Sequence, residues 1–316
     1  MCSQKNGDMP TLSLRGSVCV PLFLFICVIL QLIVAPLFAQ DIRNRTDDMY
    51  HLGRMIIASE SLPDRVYDAQ KYKFFISVLF FEKGTDNVLT SGVGTGFTSE
   101  IPGIILTARH ILSESLPEAD KIKAEKVKTN PRFDYTYSFM GTIMTSDRWM
   151  NFPLTLVAMG EDGTFKDMMA LRVDIQTMVQ ARTMGDMINP NPLNMLMRTF
   201  EFADANLGEK VYMTGFAPVV AELKNKNSTS VYVDMINFTF PAEITAKIED
   251  MPLNRAGIKL MYRLRDGAEP GFSGGMVVNA RGQVIGMTVA ISTSKNFVYA
   301  ISSKDLKDFL KDNKVR

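Results

Sequence analysis

The chain has 316 residues, of which 46% are hydrophobic and 22% charged, long enough for two domains that each bury a core. Its formal charge is +1, and after residues 1–39, which hold Lys5, Arg15 and Asp8, the basic and acidic residues balance. This balance argues against a nucleic-acid partner.

The chain begins with a long apolar stretch. Residues 18–39 carry no charge and follow Lys5 and Arg15, which is typical of a secretory signal peptide or a single membrane anchor. The span favours an anchor, whereas Pro36 and the small Ala39 favour cleavage. We therefore expect an exported protein that is periplasmic, secreted or attached to the membrane through this segment.

All three cysteines, Cys2, Cys19 and Cys27, lie in or before this apolar stretch, within the leader formed by residues 1–39. The rest of the chain has no cysteine, so no disulfide framework is expected there. A cysteine-free exported domain fits a bacterial envelope protein at least as well as a eukaryotic one.

Residues 40–72 are polar, with apolar positions at near-helical spacing, and predict a linker helix. The composition becomes β-rich at Lys73. Strand candidates in the first half, residues 73–190, read FFISVLFF, VGTGFTS, GIILTARHIL, YSFMGTIMT, LTLVAMG and DMMALRV. Residues 174–200 contain many methionines and two Asn-Pro steps, which indicates an irregular connection with about one helical turn.

Short strands resume in the second half, residues 191–303. They read KVYMTGF, VYVDMINFTF, AEITAKI, KLMYRLR, MVVNARGQVIGMTVAIS and FVYAIS. Residues 304–316 predict a terminal amphipathic helix behind a serine cap. Two groups of short strands followed by one helix predict an all-β fold of two six-stranded antiparallel barrels.

A serine between glycines precedes one of these strands. Residues 269–278 read EPGFSGGMVV, which places Ser273 at the entrance of an apolar strand, as expected for a nucleophile. Glycine-serine turns are also common linkers. The pattern therefore indicates catalysis only if a histidine and an acid lie elsewhere in a usable order.

The chain has two histidines, and both precede the serine. His51 lies in the linker, whereas His110 ends the apolar segment GIILTARH. Since no histidine follows Ser273, the order Ser, Asp, His of α/β-hydrolases is excluded. The order His, Asp, Ser remains available.

That order requires an acid between the histidine and the serine. Asp167 heads the apolar segment DMMALRV and is the best placed candidate. Asp162 lies before it in a glycine turn, and Asp174 at the far end of the strand. Asp167 can also be read as a residue that only starts a strand or caps a turn.

Three ordered blocks now carry a resemblance. GTGFTSEIPGIILTARHIL, KDMMALRVD and EPGFSGG resemble the signature blocks of chymotrypsin-fold serine proteases. Within that family the chain is most similar to cysteine-free bacterial trypsin-like enzymes and to the protease domains of Deg-type (high-temperature-requirement, HtrA) proteins. The similarity covers residues 73–312 and implies a serine endopeptidase acting on protein or peptide substrates.

The resemblance also implies roles for individual residues. His110 would be the general base, Asp167 would hold the imidazole tautomer, and Ser273 would be the nucleophile. The backbone N–H groups of Gly271 and Ser273 would form the oxyanion hole.

The departures from the family pattern are informative as well. Phe272 stands where trypsin-like digestive enzymes carry an aspartate that pairs with a new amino terminus, so activation by that ion pair is not expected. Few residues follow the terminal helix, so no PDZ domain is expected. The primary pocket would have Gly267 near its floor and be narrowed by Phe297, which implies cleavage after small or medium apolar residues.

Two other functions remain open. The barrels could serve a catalytically silent pseudo-protease that acts as an envelope binding module, or the serine could belong to an esterase on another fold. No cofactor and no metal ion are expected, because one histidine near the serine and no cysteine beyond the leader would leave a zinc site almost only carboxylates.

Overall fold

The computed structural model describes residues 55–57, 62–85, 88–113, 135–144, 149–160, 167–184, 191–225, 228–249, 258–265, 271–292 and 297–316. Thr46–Pro218 and Asp234–Arg316 form one compact unit. The described residues of the other unit are the strand residues 219–225 and 228–233. Apart from those strand residues, which are the ends of two longer strands, everything described below lies in the first unit.

The elements of the described part follow one another in chain order. They are β1 (Met55–Ile57), α1 (Asp64–Ala69), a 3₁₀ turn (Gln70–Tyr72), β2 (Lys73–Glu82), β3 (Val88–Thr98), β4 (Ile104–Thr107), α2 (His110–Ser113), β5 (Tyr135–Met144), β6 (Trp149–Met159), β7 (Met169–Val173), α3 (Ile175–Met184), α4 (Pro192–Met197), β8 (Lys210–Asn225), β9 (Ser228–Glu249), β10 (Leu260–Arg265), β11 (Met276–Asn279), β12 (Val284–Ile291), β13 (Phe297–Ser302) and α5 (Ser303–Asp312).

The first barrel closes in the order β2-β3-β4-β7-β6-β5, with every neighbouring pair antiparallel. Strand β2 shows how the sequence forms the inside of this barrel. Side chains alternate along a strand, so every second residue lies on the same face. Phe74, Ile76, Val78 and Phe80 are all fully buried. The inward face of this strand is therefore continuous apolar core.

The second barrel runs β9-β10-β13-β12-β11-β8 and closes through pairing of β8 with β9. Its inner face is a separate cluster that includes Val211, Tyr262, Leu264, Val277 and Val298. Two closed six-stranded antiparallel barrels with a terminal helix confirm the predicted all-β, chymotrypsin-like fold class. The predicted boundary between halves at residues 190 and 191 stays a prediction.

The linker prediction needs correction where the structure describes it. Met55–Ile57, placed in a helix by spacing, form a strand that pairs in parallel with β9 at residues 237–239. Three consecutive apolar residues can satisfy their backbone groups by adding to a sheet edge, and this pairing overrides a short helical pattern. Helix is found only later in the segment, at α1 and the 3₁₀ turn. Residues 40–54, which include His51, lie outside the described residues.

The prediction of an irregular connection at residues 174–200 was wrong. This segment contains two helices, α3 and α4. Asp174 starts the first by accepting the Thr177 N–H at 2.8 Å, and Asn191 caps the second by accepting the Leu193 N–H at 2.9 Å ahead of Pro192. Caps and a proline at the first position favour helix starts, so the same residues that suggested a loop mark helix boundaries.

Helix α5 closes the described chain. Ser302 caps it by accepting the Asp305 N–H at 3.2 Å, and Leu306, Phe309 and Leu310 are buried against the sheet. The described residues contain no helix that is both long and apolar enough to span a bilayer. The predicted leader, residues 1–39, lies outside them.

Candidate active site

The first two candidate residues meet at the end of a strand pair. Strand β4 pairs antiparallel with β7 so that Thr107 lies opposite Met169. His110 follows the last residue of β4 by three positions, and Asp167 precedes the first residue of β7 by two. The register therefore brings both side chains to the same edge of the first barrel.

His110 and Asp167 make two hydrogen bonds. The Nδ1 atom of His110 lies 2.7 Å from Oδ2 of Asp167, and the backbone N–H of His110 donates to Oδ1 at 2.8 Å. Both side chains retain a little exposure, 18% for His110 and 17% for Asp167. A carboxylate at this distance makes Nδ1 the protonated nitrogen of the neutral ring and orients the imidazole.

Of the alternative acids, Asp174 is committed elsewhere. Its carboxylate accepts hydrogen bonds from the backbone N–H and the hydroxyl of Thr177, each at 2.8 Å, and the first of these lowers its pKa. It is a helix cap rather than a partner of His110. Asp162 lies outside the described residues.

Ser273 lies in a tight turn just before β11. Gly271 and Gly274 have φ values of 100° and 82°, which residues that carry a side chain rarely adopt. A β-carbon at residue 274 would collide with the carbonyl oxygen of Thr95 and lie 2.8 Å from the Ala108 nitrogen. Only glycine therefore lets the turn of the second barrel pack on the strand end that leads to His110.

Phe272 holds this turn in the second barrel. Its side chain is buried, with its ring centroid 5.7 Å from that of Phe240 and 6.2 Å from that of Phe238. Those two rings stack on each other at 5.6 Å. The aromatic residue that precedes Ser273 therefore anchors the turn by packing.

The structure describes one of the two predicted pocket residues. Gly267 lies outside the described residues. Phe297 begins β13 and is half-buried, with the guanidinium carbon of Arg263 lying 4.7 Å from its ring centroid. A cation at this distance from an aromatic face restrains the ring.

Sequence reasoning missed Thr95, which contacts the serine turn from the first barrel. Its hydroxyl donates to the Gly271 carbonyl at 2.7 Å, and its N–H donates to the Ser273 carbonyl at 2.8 Å. The only signal in the sequence is a threonine between two glycines in the segment VGTGFTS. Glycines beside a buried polar residue mark a close approach of another segment.

Lys73 was also missed. Although it opens an apolar strand, its side chain is 2% exposed, and its ammonium nitrogen donates to the Thr214 hydroxyl and, at 3.4 Å, to the Phe238 carbonyl. The nitrogen lies 5.5 Å from the Phe216 ring centroid. Lys73 thus joins the first barrel to the second, and burial lowers the pKa of its amine well below the usual value.

No protein-family model matches the chain, and no curated protein matches it. Among solved structures, it is similar to the Rv3671c protease from M. tuberculosis in its active form, with 16% identity over 81% of this chain and 88% of that chain at a TM-score of 0.44. The inactive form of that protease is 15% identical to this chain, and the match covers 82% of this chain and 98% of that chain at a TM-score of 0.43.

A second similar structure is the HtrA-type protease AlgW with a tripeptide, at 16% identity and a TM-score of 0.49. The match covers 80% of this chain and 63% of the AlgW chain. Similarities this remote carry no argument about activity. The chain is a chymotrypsin-like double barrel with a histidine, an aspartate and a serine turn at the junction of the barrels.

Proposed function

We propose that this chain is an exported serine endopeptidase that hydrolyses peptide bonds through His110, Asp167 and Ser273. The observation that carries the proposal is the 2.7 Å contact between His110 Nδ1 and Asp167, formed next to a glycine turn that holds a partly exposed Ser273. A base oriented by a carboxylate beside a partly exposed serine is the arrangement that acyl transfer needs.

The proposed chemistry proceeds in two halves. His110 takes the proton of the Ser273 hydroxyl as the oxygen attacks the scissile carbonyl, and it then gives that proton to the leaving amine. The backbone N–H groups of Gly271 and Ser273 stabilise the oxyanion, and Asp167 stabilises the imidazolium. Water then attacks the acyl carbonyl while His110 takes its proton, and His110 returns this proton to the Ser273 oxygen as the acyl bond breaks and the second product leaves.

The direct test is covalent labelling with a fluorophosphonate probe. We expect the wild-type chain to be labelled at Ser273, because an activated serine attacks the phosphorus centre, and neither Ser273→Ala nor His110→Ala to be labelled. Mass spectrometry of the labelled peptide identifies the modified residue.

Two outcomes would contradict the proposal. An unlabelled, folded wild-type chain would favour the pseudo-protease that uses its barrels for binding. A labelled chain that cleaves small esters but no unfolded protein would favour an esterase. The Asp174→Asn variant, which changes an aspartate that only caps a helix, provides the matched control and should label like the wild type.

We further propose that the enzyme cleaves after small or medium apolar residues, on the strength of Phe297. Its ring is braced by Arg263 at 4.7 Å and would reduce the depth of a primary pocket beside β13. A peptide library should therefore show preference for residues such as Ala and Val before the cleaved bond, and Phe297→Gly should extend the preference to larger apolar residues. A strong preference for Lys or Arg in the wild type would contradict this assignment.

A further inference from the structure

The turn that carries Ser273 has its carbonyl groups anchored to the interior. The Gly271 carbonyl accepts from the Thr95 hydroxyl at 2.7 Å, and the Ser273 carbonyl accepts from the Thr95 N–H at 2.8 Å. Between them, the Phe272 carbonyl accepts from the Thr288 hydroxyl and, at 2.7 Å, from the Gly275 N–H. Three consecutive carbonyls are thus held by named donors.

This anchoring bears on which groups the turn presents to a substrate. In a planar trans peptide the C=O and the N–H point in opposite directions. With the Phe272 carbonyl held inward, the Ser273 N–H is directed away from those anchors. The Gly271 N–H belongs to the preceding peptide, and its direction depends on the φ of Gly271, whose own carbonyl is held by Thr95.

Glycine has little intrinsic preference for one such conformation. At a φ of 100° Gly271 has no side chain to restrain rotation of the adjoining peptides. If the carbonyl at this residue were free, the peptide could turn its oxygen toward the position where the oxyanion forms. The hydrogen bond from the Thr95 hydroxyl restrains that carbonyl, and it comes from the other barrel.

The position and hydrogen bonds of Thr95 suit it to restrain this carbonyl. It is fully buried on β3, and its hydroxyl is used twice, since it donates to Gly271 and accepts the Phe216 N–H at 2.9 Å. Its carbonyl accepts the Thr107 hydroxyl at 2.7 Å. Thr107 ends β4, the strand that leads to His110, so Thr95 contacts the segments that carry the proposed nucleophile and the proposed base.

We propose that Thr95 is a positioning residue for the oxyanion hole: its hydroxyl holds the Gly271 carbonyl away from the developing oxyanion, so that the N–H groups of Gly271 and Ser273 meet it unopposed. The inference rests on the proposed function. It assigns the side chain of the GTG segment, which the sequence pattern alone left without a role.

The test compares Thr95→Val with Thr95→Ser. Valine keeps the shape of threonine without the hydroxyl, and we expect it to lower kcat on the order of 10- to 100-fold with KM changed less than about twofold, since the freed Gly271 carbonyl can turn toward the oxyanion and oppose its donors. Serine restores the donor, and its kcat should lie within about threefold of the wild type.

A second readout separates positioning from folding. A peptide trifluoromethyl ketone adds to Ser273 as a tetrahedral adduct and uses the oxyanion hole, whereas a product peptide does not. Thr95→Val should weaken binding of the ketone by the factor lost in kcat/KM and leave the product peptide unchanged. If Thr95→Val does not fold, Thr95→Cys, with a weaker donor, should give an intermediate loss.

Thr98 offers a matched control on the same strand. Its hydroxyl is also fully buried, but it has no hydrogen-bond partner among the described residues. Thr98→Val should therefore keep wild-type kcat and ketone affinity.

The inference is overturned if Thr95→Val keeps wild-type kcat and ketone affinity, if ketone and product affinities fall together, or if serine gives no rescue. An unlabelled wild-type chain would instead overturn the proposed function, and this inference with it.

Discussion

Ser273→Ala, His110→Ala and the double variant are expected to lower kcat for peptide hydrolysis by the same factor, on the order of 10⁶-fold. The reason is that, in the proposed mechanism, the two residues act as one unit: the serine is a poor nucleophile without the base, and the base has no role without the serine. Steady-state kinetics on a peptide substrate, with all variants at equal folded concentration, measures this.

Asp167→Asn should cost less, on the order of 10⁴-fold in kcat, because the serine and base remain but the imidazole loses the carboxylate that sets its tautomer. Asp174→Asn serves again as the control and should keep wild-type kcat. Independent, multiplying losses in the Ser273 and His110 double variant would show that the two residues do not act together, and would contradict the proposed mechanism.

The second large effect concerns stability at Lys73. Among the residues that the structure describes, no carboxylate pairs with this buried amine, and burial lowers its pKa well below the usual value. A base with a lower pKa in the folded state binds fewer protons when folded. The free energy of unfolding therefore rises with pH between the folded-state pKa of Lys73 and its unfolded-state pKa of about 10.4. Below the folded-state pKa, Lys73 is charged in both states and its contribution to the free energy of unfolding is at its lowest.

Lys73→Met removes the amine and keeps a long apolar side chain, so we expect the variant to be more stable than the wild type at pH 7. The difference should shrink by up to about 1.4 kcal/mol per pH unit as the pH rises toward 10. Urea unfolding of both proteins at several pH values between 7 and 10 provides the measurement.

Lys71→Met is the matched control, since this neighbouring lysine is partly exposed and lies 3.7 Å from Asp68. Its stability difference from the wild type should stay nearly constant across the same pH range. A constant difference for Lys73→Met as well would show that the buried amine remains protonated and that its charge is compensated.

Several features of the fold could be predicted because they are local. Strand β2 alternates buried residues along KFFISVLFFE, and α5 places Leu306, Phe309 and Leu310 on one face behind a serine. Such periodicities follow from backbone geometry alone. The connection between the barrels was misread because Asp174 and the Asn191-Pro192 step are turn residues and helix-start residues alike, and only the following packing distinguishes them.

The sequence by itself determined the candidates for the site. With two histidines, both upstream of Ser273, the order of residues pointed to a double barrel and left few choices for base and acid. Which acid faces His110 was decided by the register of β4 and β7, which places Asp167 at 2.7 Å while Asp174 turns into a helix cap.

Thr95 and Lys73 became visible only in the tertiary structure. Their partners, Gly271 and Thr214, are 176 and 141 residues away in the chain. A sequence pattern shows which side chains are buried, but it cannot show which distant backbone group each one meets. The contacts of Thr95 and Lys73 therefore form only when the two barrels pack against each other.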